Sequence, residues 1–157
     1  MKQLCAAVVL ILCACTKPDD ATALRDEAYA AVTFYGDQLD QLYTRLGKLK
    51  DRGTELKDYY PGSDEAGMLT KATFNQMEVM RGELATAEAR IKAATTADEL
   101  RARIDAYREI AENGTPRTDK HPPLEGIPAL GRDLELVDSW LTHTEAVKAA
   151  GSAMLPP

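Results

Sequence analysis

From Ala21 to Arg52 the apolar residues Leu24, Ala28, Ala31, Val32, Tyr35, Leu39, Leu42, Tyr43, Leu46 and Leu49 recur every three or four positions, which commits this stretch to a helix. At 100° per residue they fall in a sector about 120° wide, with Asp26, Asp37, Asp40, Thr44 and Lys48 opposite. Asp19 or Asp20 can cap its start. Lys48, Lys50 and Arg52 suit the negative end of the helix dipole, and Gly53 is the expected exit.

Three more helices follow from the same reasoning. Tyr59-Tyr60-Pro61-Gly62-Ser63-Asp64 reads as a turn, after which Leu69, Thr73, Met77, Met80, Leu84, Ala87, Ile91 and Ala94 make a second stripe over Glu65 to Ala94. Thr96 with Glu99 three residues on has the form of a capping box. It opens a third helix, carried by Leu100, Ile104, Tyr107 and Ala111 through Glu112 and stopped by Asn113-Gly114. Thr115 to Pro128 contains Pro116, Pro122, Pro123, Pro128 and Gly126 and is expected to be a long irregular loop. The last helix, Ala129 to Ala150, buries Leu130, Leu134, Val137, Leu141 and Thr144, with Trp140 and Val147 at the stripe edge, and Met154 to Pro157 form a tail.

Four amphipathic helices with single stripes predict an all-α, four-helix bundle of antiparallel helices, running up-down-up-down, with the proline-rich loop between helices 3 and 4 crossing one end. Heptad-like spacing in the first two helices also permits a dimerising α-hairpin; the monomeric bundle is the favoured reading.

Ahead of the first helix, Lys2 gives a positive start, Leu4 to Ala14 is almost wholly apolar, and the polar Thr16-Lys17-Pro18-Asp19-Asp20 follows. The apolar run is shorter than the ~20 residues that span a bilayer, so it reads as a cleaved signal. Its end, Leu12-Cys13-Ala14-Cys15, resembles the bacterial lipobox, with Cys13 an unusual second residue. The resemblance implies an exported lipoprotein precursor: residues 1–14 a signal peptide, Cys15 the lipidated N-terminus, 15–20 a short tether and 21–157 the helical domain. It further implies acyl chains such as palmitate holding the protein on a membrane. Thr16, where aspartate would signal inner-membrane retention, points to the outer membrane, with the periplasmic face preferred over the cell surface. The extended tether reaches on the order of 15 to 20 Å.

Without residues 1–14 the net charge moves from −6 to −7, because only Lys2 is lost. An acidic exported chain lacks the clustered cations that nucleic acid requires. Cys5, Cys13 and Cys15 all lie in the signal or at its edge, so the helical domain is expected to be held by packing, with neither disulfides nor cysteine-ligated metal.

Catalytic and cofactor signals are weak. His143 projects about 110° from its helix's apolar stripe, His121 sits among Asp119 and Lys120, and the Glu-x-x-His pattern of bundle metal sites does not occur. Met77 and Met80 occupy core positions where methionine is ordinary filler, so a methionine–histidine haem site is discounted. Ser63, Ser139 and Ser152 stand in no nucleophile motif. No cofactor or metal is expected. The candidate partner-binding residues are Phe34, off the first stripe; Tyr59 and Tyr60 in the turn; Trp140; and Pro116, His121, Pro122 and Pro123 of the loop.

These features point to a membrane-anchored module that binds or assembles an envelope protein, in architecture like the pilotins and inhibitor lipoproteins. A self-associating spacer and an enzyme or small-ligand carrier with a bundle cavity are the alternatives.

Overall fold

The computed structural model describes residues 21–56, 63–117 and 123–153. The signal segment, Cys15, Tyr59, Tyr60, His121, Pro122 and the tail from Met154 lie outside the described residues. Four helices, α1 (Ala21–Leu56), α2 (Ser63–Ala93), α3 (Ala97–Asn113) and α4 (Ile127–Ala153), pack as a helical bundle, with no strand among the described residues.

Local signals set several helix ends. Thr96 and Glu99 form the capping box: Glu99 N–H donates to Thr96 Oγ1 at 3.2 Å, and Thr96 N–H donates to Glu99 Oε2 at 3.3 Å. Gly114, at φ 74°, ends α3 and donates its N–H to the Ile110 carbonyl at 2.9 Å. α1 does not stop at Gly53 but runs on to Leu56, whose side chain is buried seven residues beyond Leu49. Burying Leu56 outweighs the roughly 1 kcal/mol that an interior glycine costs a helix. α4 starts two residues before the expected Ala129 and includes Pro128, whose missing N–H is harmless in a first turn.

The direction of the helices departs from the expected alternation. Between α1 and α2 the partners Asp40–Arg81 and Tyr43–Glu78 run in opposite senses, as in a hairpin. Between α1 and α4 the numbers climb together, Arg45 reaching Glu135 and Asp138, and Arg52 reaching Asp138 and Glu145. α3 behaves likewise, Ala28 sharing a cluster with Leu100 and Ile104 and Tyr35 meeting Tyr107 and Glu112. Both α3 and α4 are therefore parallel to α1. α3 covers the first half of the α1–α2 hairpin and α4 the second.

Two physical causes account for this arrangement. With 17 residues α3 spans about 25 Å, under half the roughly 54 Å of α1, so the rest of the hairpin's apolar face needs another cover. The two described ends of the proline loop, moreover, meet rather than lying apart across the bundle. Thr115 and Leu124 pair as an antiparallel bridge through bonds of 2.7 and 3.0 Å, so that the chain leaves the loop where it entered. Leu124 is buried in the core. The Gln76 amide of α2 donates to the Pro123 carbonyl at 3.1 Å and accepts the Glu125 N–H at 3.3 Å, pinning the base of the loop.

The core divides accordingly. Tyr35, Leu39, Leu46, Met77, Met80, Leu84, Leu130, Leu134 and Val137 belong to the main cluster, and Ala28, Ile91, Ala94, Leu100 and Ile104 form a smaller one toward the start of α1. Arg25 caps the end of α2 by donating to the Ala94 carbonyl at 2.7 Å.

Candidate functional site

At mid-height the α1–α2 seam is closed by Tyr43. Its ring meets Phe74 edge-on at 6.2 Å, the Arg81 guanidinium lies 4.1 Å from its centroid, and its hydroxyl donates to Glu78. Burial, and then the Glu78 carboxylate, push the Tyr43 phenol up to about 12. Arg81 is held in turn by Asp40 at 3.0 Å.

Beyond Phe74 the seam opens into a groove of about 460 Å³. Leu49, Gly53, Thr54 and Leu56 of α1 form one wall, Ala66, Gly67, Thr70 and Phe74 of α2 the other, and Val137, Leu141 and Thr144 of α4 the floor. From Ala66 to Phe74 the groove is about 12 Å long, two helical turns. On its far side α1 is tied to α4: Arg52 donates to Glu145 at 2.8 Å, to Asp138 at 2.5 Å and to Thr142 at 3.1 Å. Hydrogen bonds to Arg52 hold both carboxyls below their usual range. α1 is thereby fastened to α4 behind a gap left between α1 and α2.

The groove's chemistry is apolar despite three threonines. Thr54 Oγ1 donates to the Lys50 carbonyl at 2.9 Å, Thr70 Oγ1 to Ala66 at 2.6 Å and Thr144 Oγ1 to Trp140 at 2.9 Å. Each hydroxyl is satisfied one turn back along its own helix, so no threonine hydroxyl of the lining awaits a ligand. Phe74, 41% exposed, and Lys50 and Lys71 on the opposite lips complete the lining.

The sequence-predicted residues lie elsewhere. Phe34 is 56% exposed on α1, edge-on to Tyr35 at 5.2 Å, and with Pro128 lines a hollow of about 530 Å³. The Tyr35 hydroxyl in that hollow donates to Glu112 at 2.5 Å. Pro116 and Pro123, both exposed, flank a second hollow of about 630 Å³ that shares Asn113 and Arg132 with the first. The structure thus gathers Phe34, Pro116 and Pro123 around the α3–α4 joint, while Trp140 sits half-buried farther along α4. His143 is exposed, and Met77 and Met80 are fully buried in the core.

The groove was not singled out from sequence. Its one visible signal was Phe74, an aromatic residue off the α2 stripe, close to the small residues Ala66, Gly67 and Thr70. Among the described residues no group of three or more His, Cys, Asp and Glu side chains is placed to hold a metal, and no helix is long and apolar enough to cross a membrane. The chain matches no known family, no curated protein and no solved structure.

Proposed function

We propose that this chain is a lipid-anchored protein of the bacterial outer membrane that holds a helix of an envelope protein partner in the α1–α2 groove. The carrying observation is the groove: two turns long, apolar and open between two helices whose floor is a third. Amphipathic helices dock into such slots through residues at i, i+3 or i+4, and i+7. A groove beginning at Leu49 lies about 40 Å along α1 from Ala21. Anchorage through Cys15 would therefore hold the bilayer near one end of the bundle and present the groove at the other.

The test is site-specific crosslinking in the native envelope. A photoreactive residue at Gly67, where an added Cβ meets nothing within 4 Å, should give a discrete protein adduct. The same residue at exposed Thr86, outside the groove, should give none. Cys15→Ser should abolish fatty-acid incorporation and release the protein from the membrane. Adducts from Thr86 but not from Gly67 would move the binding surface elsewhere.

One observation favours a second reading. The groove's volume falls within the range of roughly 300 to 1,000 Å³ typical of small-molecule sites, which suits a carrier of apolar ligands. A non-covalent adduct of small mass in native mass spectrometry would support it.

A further inference from the structure

We infer that the partner helix carries carboxylates level with Lys50 and Lys71, which recognise it as a pair. This rests on the groove reading and specifies the chemistry of its occupant. The register set by Asp40–Arg81 and Tyr43–Glu78, continued along the two antiparallel helices, brings Lys50 level with Lys71 on the opposite lip. Neither ammonium has an ion pair among the described residues, whereas Arg45 and Arg52 have two each and Arg81 and Arg108 one each. Two unpaired like charges facing one another over an apolar slot complement an occupant that brings negative charge to that level.

The shape of the slot favours a helix over an acyl chain. Among the described residues three helices, α1, α2 and α4, surround the slot at this height, and a helix docked between α1 and α2 would make a fourth. Gly53 and Gly67 lie one on each wall. An added Cβ would meet only Leu141 Cδ2 at 3.9 Å from Gly53 and nothing within 4 Å from Gly67, so a backbone can approach both walls closely. The Phe74–Tyr43 contact closes the inner end, so the apolar face of the docked helix ends against Phe74.

The experiment uses the mature chain from Cys15 onward and two fluorescein-labelled helical peptides of about 16 residues. Both carry the same leucine stripe, flanked by glutamates in one and by lysines in the other. The glutamate peptide should bind about tenfold more tightly at low salt, with the preference shrinking as salt rises. The Lys50→Glu, Lys71→Glu double variant should reverse the preference, and Gly67→Trp, checked for unchanged helix content, should abolish binding of both. Equal affinity for the two peptides would overturn the carboxylate recognition while leaving the groove reading intact. Failure of both to bind, or binding unaffected by Gly67→Trp, would overturn both readings, as would binding of palmitate alone.

Discussion

Gly126 lies against the backbone of Glu112: a Cβ on Gly126 would stand 2.2 Å from the Glu112 carbonyl oxygen and 2.5 Å from its carbonyl carbon. This contact joins the end of α3 to the start of α4. Gly114 is equally constrained, since at φ 74° its Cβ would come within 1.8 Å of the Leu124 carbonyl oxygen.

Gly126→Ala and Gly114→Ala should therefore each destabilise the fold by roughly 3 kcal/mol or more, through backbone displacement at the joint. Gly36→Ala, where the Cβ meets nothing within 4 Å, should be neutral or stabilising by up to about 1 kcal/mol. Chemical denaturation followed by circular dichroism measures all three. Equal midpoints for Gly126→Ala and Gly36→Ala would contradict the close approach.

The loop has two parts with different expected sensitivities. Leu124→Ala should cost about 2 to 4 kcal/mol, because its side chain belongs to the core cluster. Replacing residues 117–122 by a Gly-Ser connector, with Thr115, Pro123 and Leu124 kept, should leave the melting temperature nearly unchanged. A large loss of stability from that exchange would give the loop tip a structural role.

Acid should weaken the tie between α1 and α4. Asp138 and Glu145 titrate lower in the folded chain than their ordinary values of 3.8 and 4.5, chiefly through hydrogen bonds to Arg52. Their contribution is complete above those values and is lost as pH falls through and below them. Since Asp138 and Glu145 are 40% and 44% exposed, screening limits the effect to about 1 kcal/mol. Arg52→Met should cost that amount at pH 7 and progressively less as pH falls below 3.8, so stability curves for the two proteins should converge on acidification.

Alkali acts in the opposite sense on Tyr35. Burial, and then the bond to Glu112, push its phenol up from 10.0 to about 12, so the neutral form stabilises the fold below pH 10. That stability is lost as pH rises through 12. Tyr35→Phe should cost about 1 kcal/mol at pH 7 through the lost hydrogen bond, yet show a shallower decline above pH 10. Stability measured from pH 8 to 12 separates the two effects.

What could be read in the sequence was what neighbouring residues decide. The Thr96–Glu99 cap, the Gly114 stop and the stripes through Leu39, Met77, Leu100 and Leu134 depend on spacing within one helix, and each stands where expected. Leu56 was missed because its burial by distant helices overrides the local signal of Gly53. The parallel course of α3 and α4 depends on Leu124 entering the core and on Gln76 holding Pro123 and Glu125, contacts between residues far apart in the chain. The groove is harder still to foresee. It exists because α4 floors a gap that no other described element fills, a property of three helices together that no single pattern encodes.

The unbroken course of α1 from Ala21 to Leu56 would also set a radius of action for an anchored protein. Were Cys15 lipidated as proposed, an extended segment 15–20 and the α1 rod together would give the groove a reach of roughly 70 Å from its point of attachment. Confined to the hemisphere of that radius, an anchored copy would present its groove to anything fixed beside it on the same leaflet at an effective concentration of about 2 mM. A contact of only modest intrinsic affinity, such as two helical turns can provide, would then be occupied most of the time by a neighbour in the membrane and seldom by a dilute protein in solution.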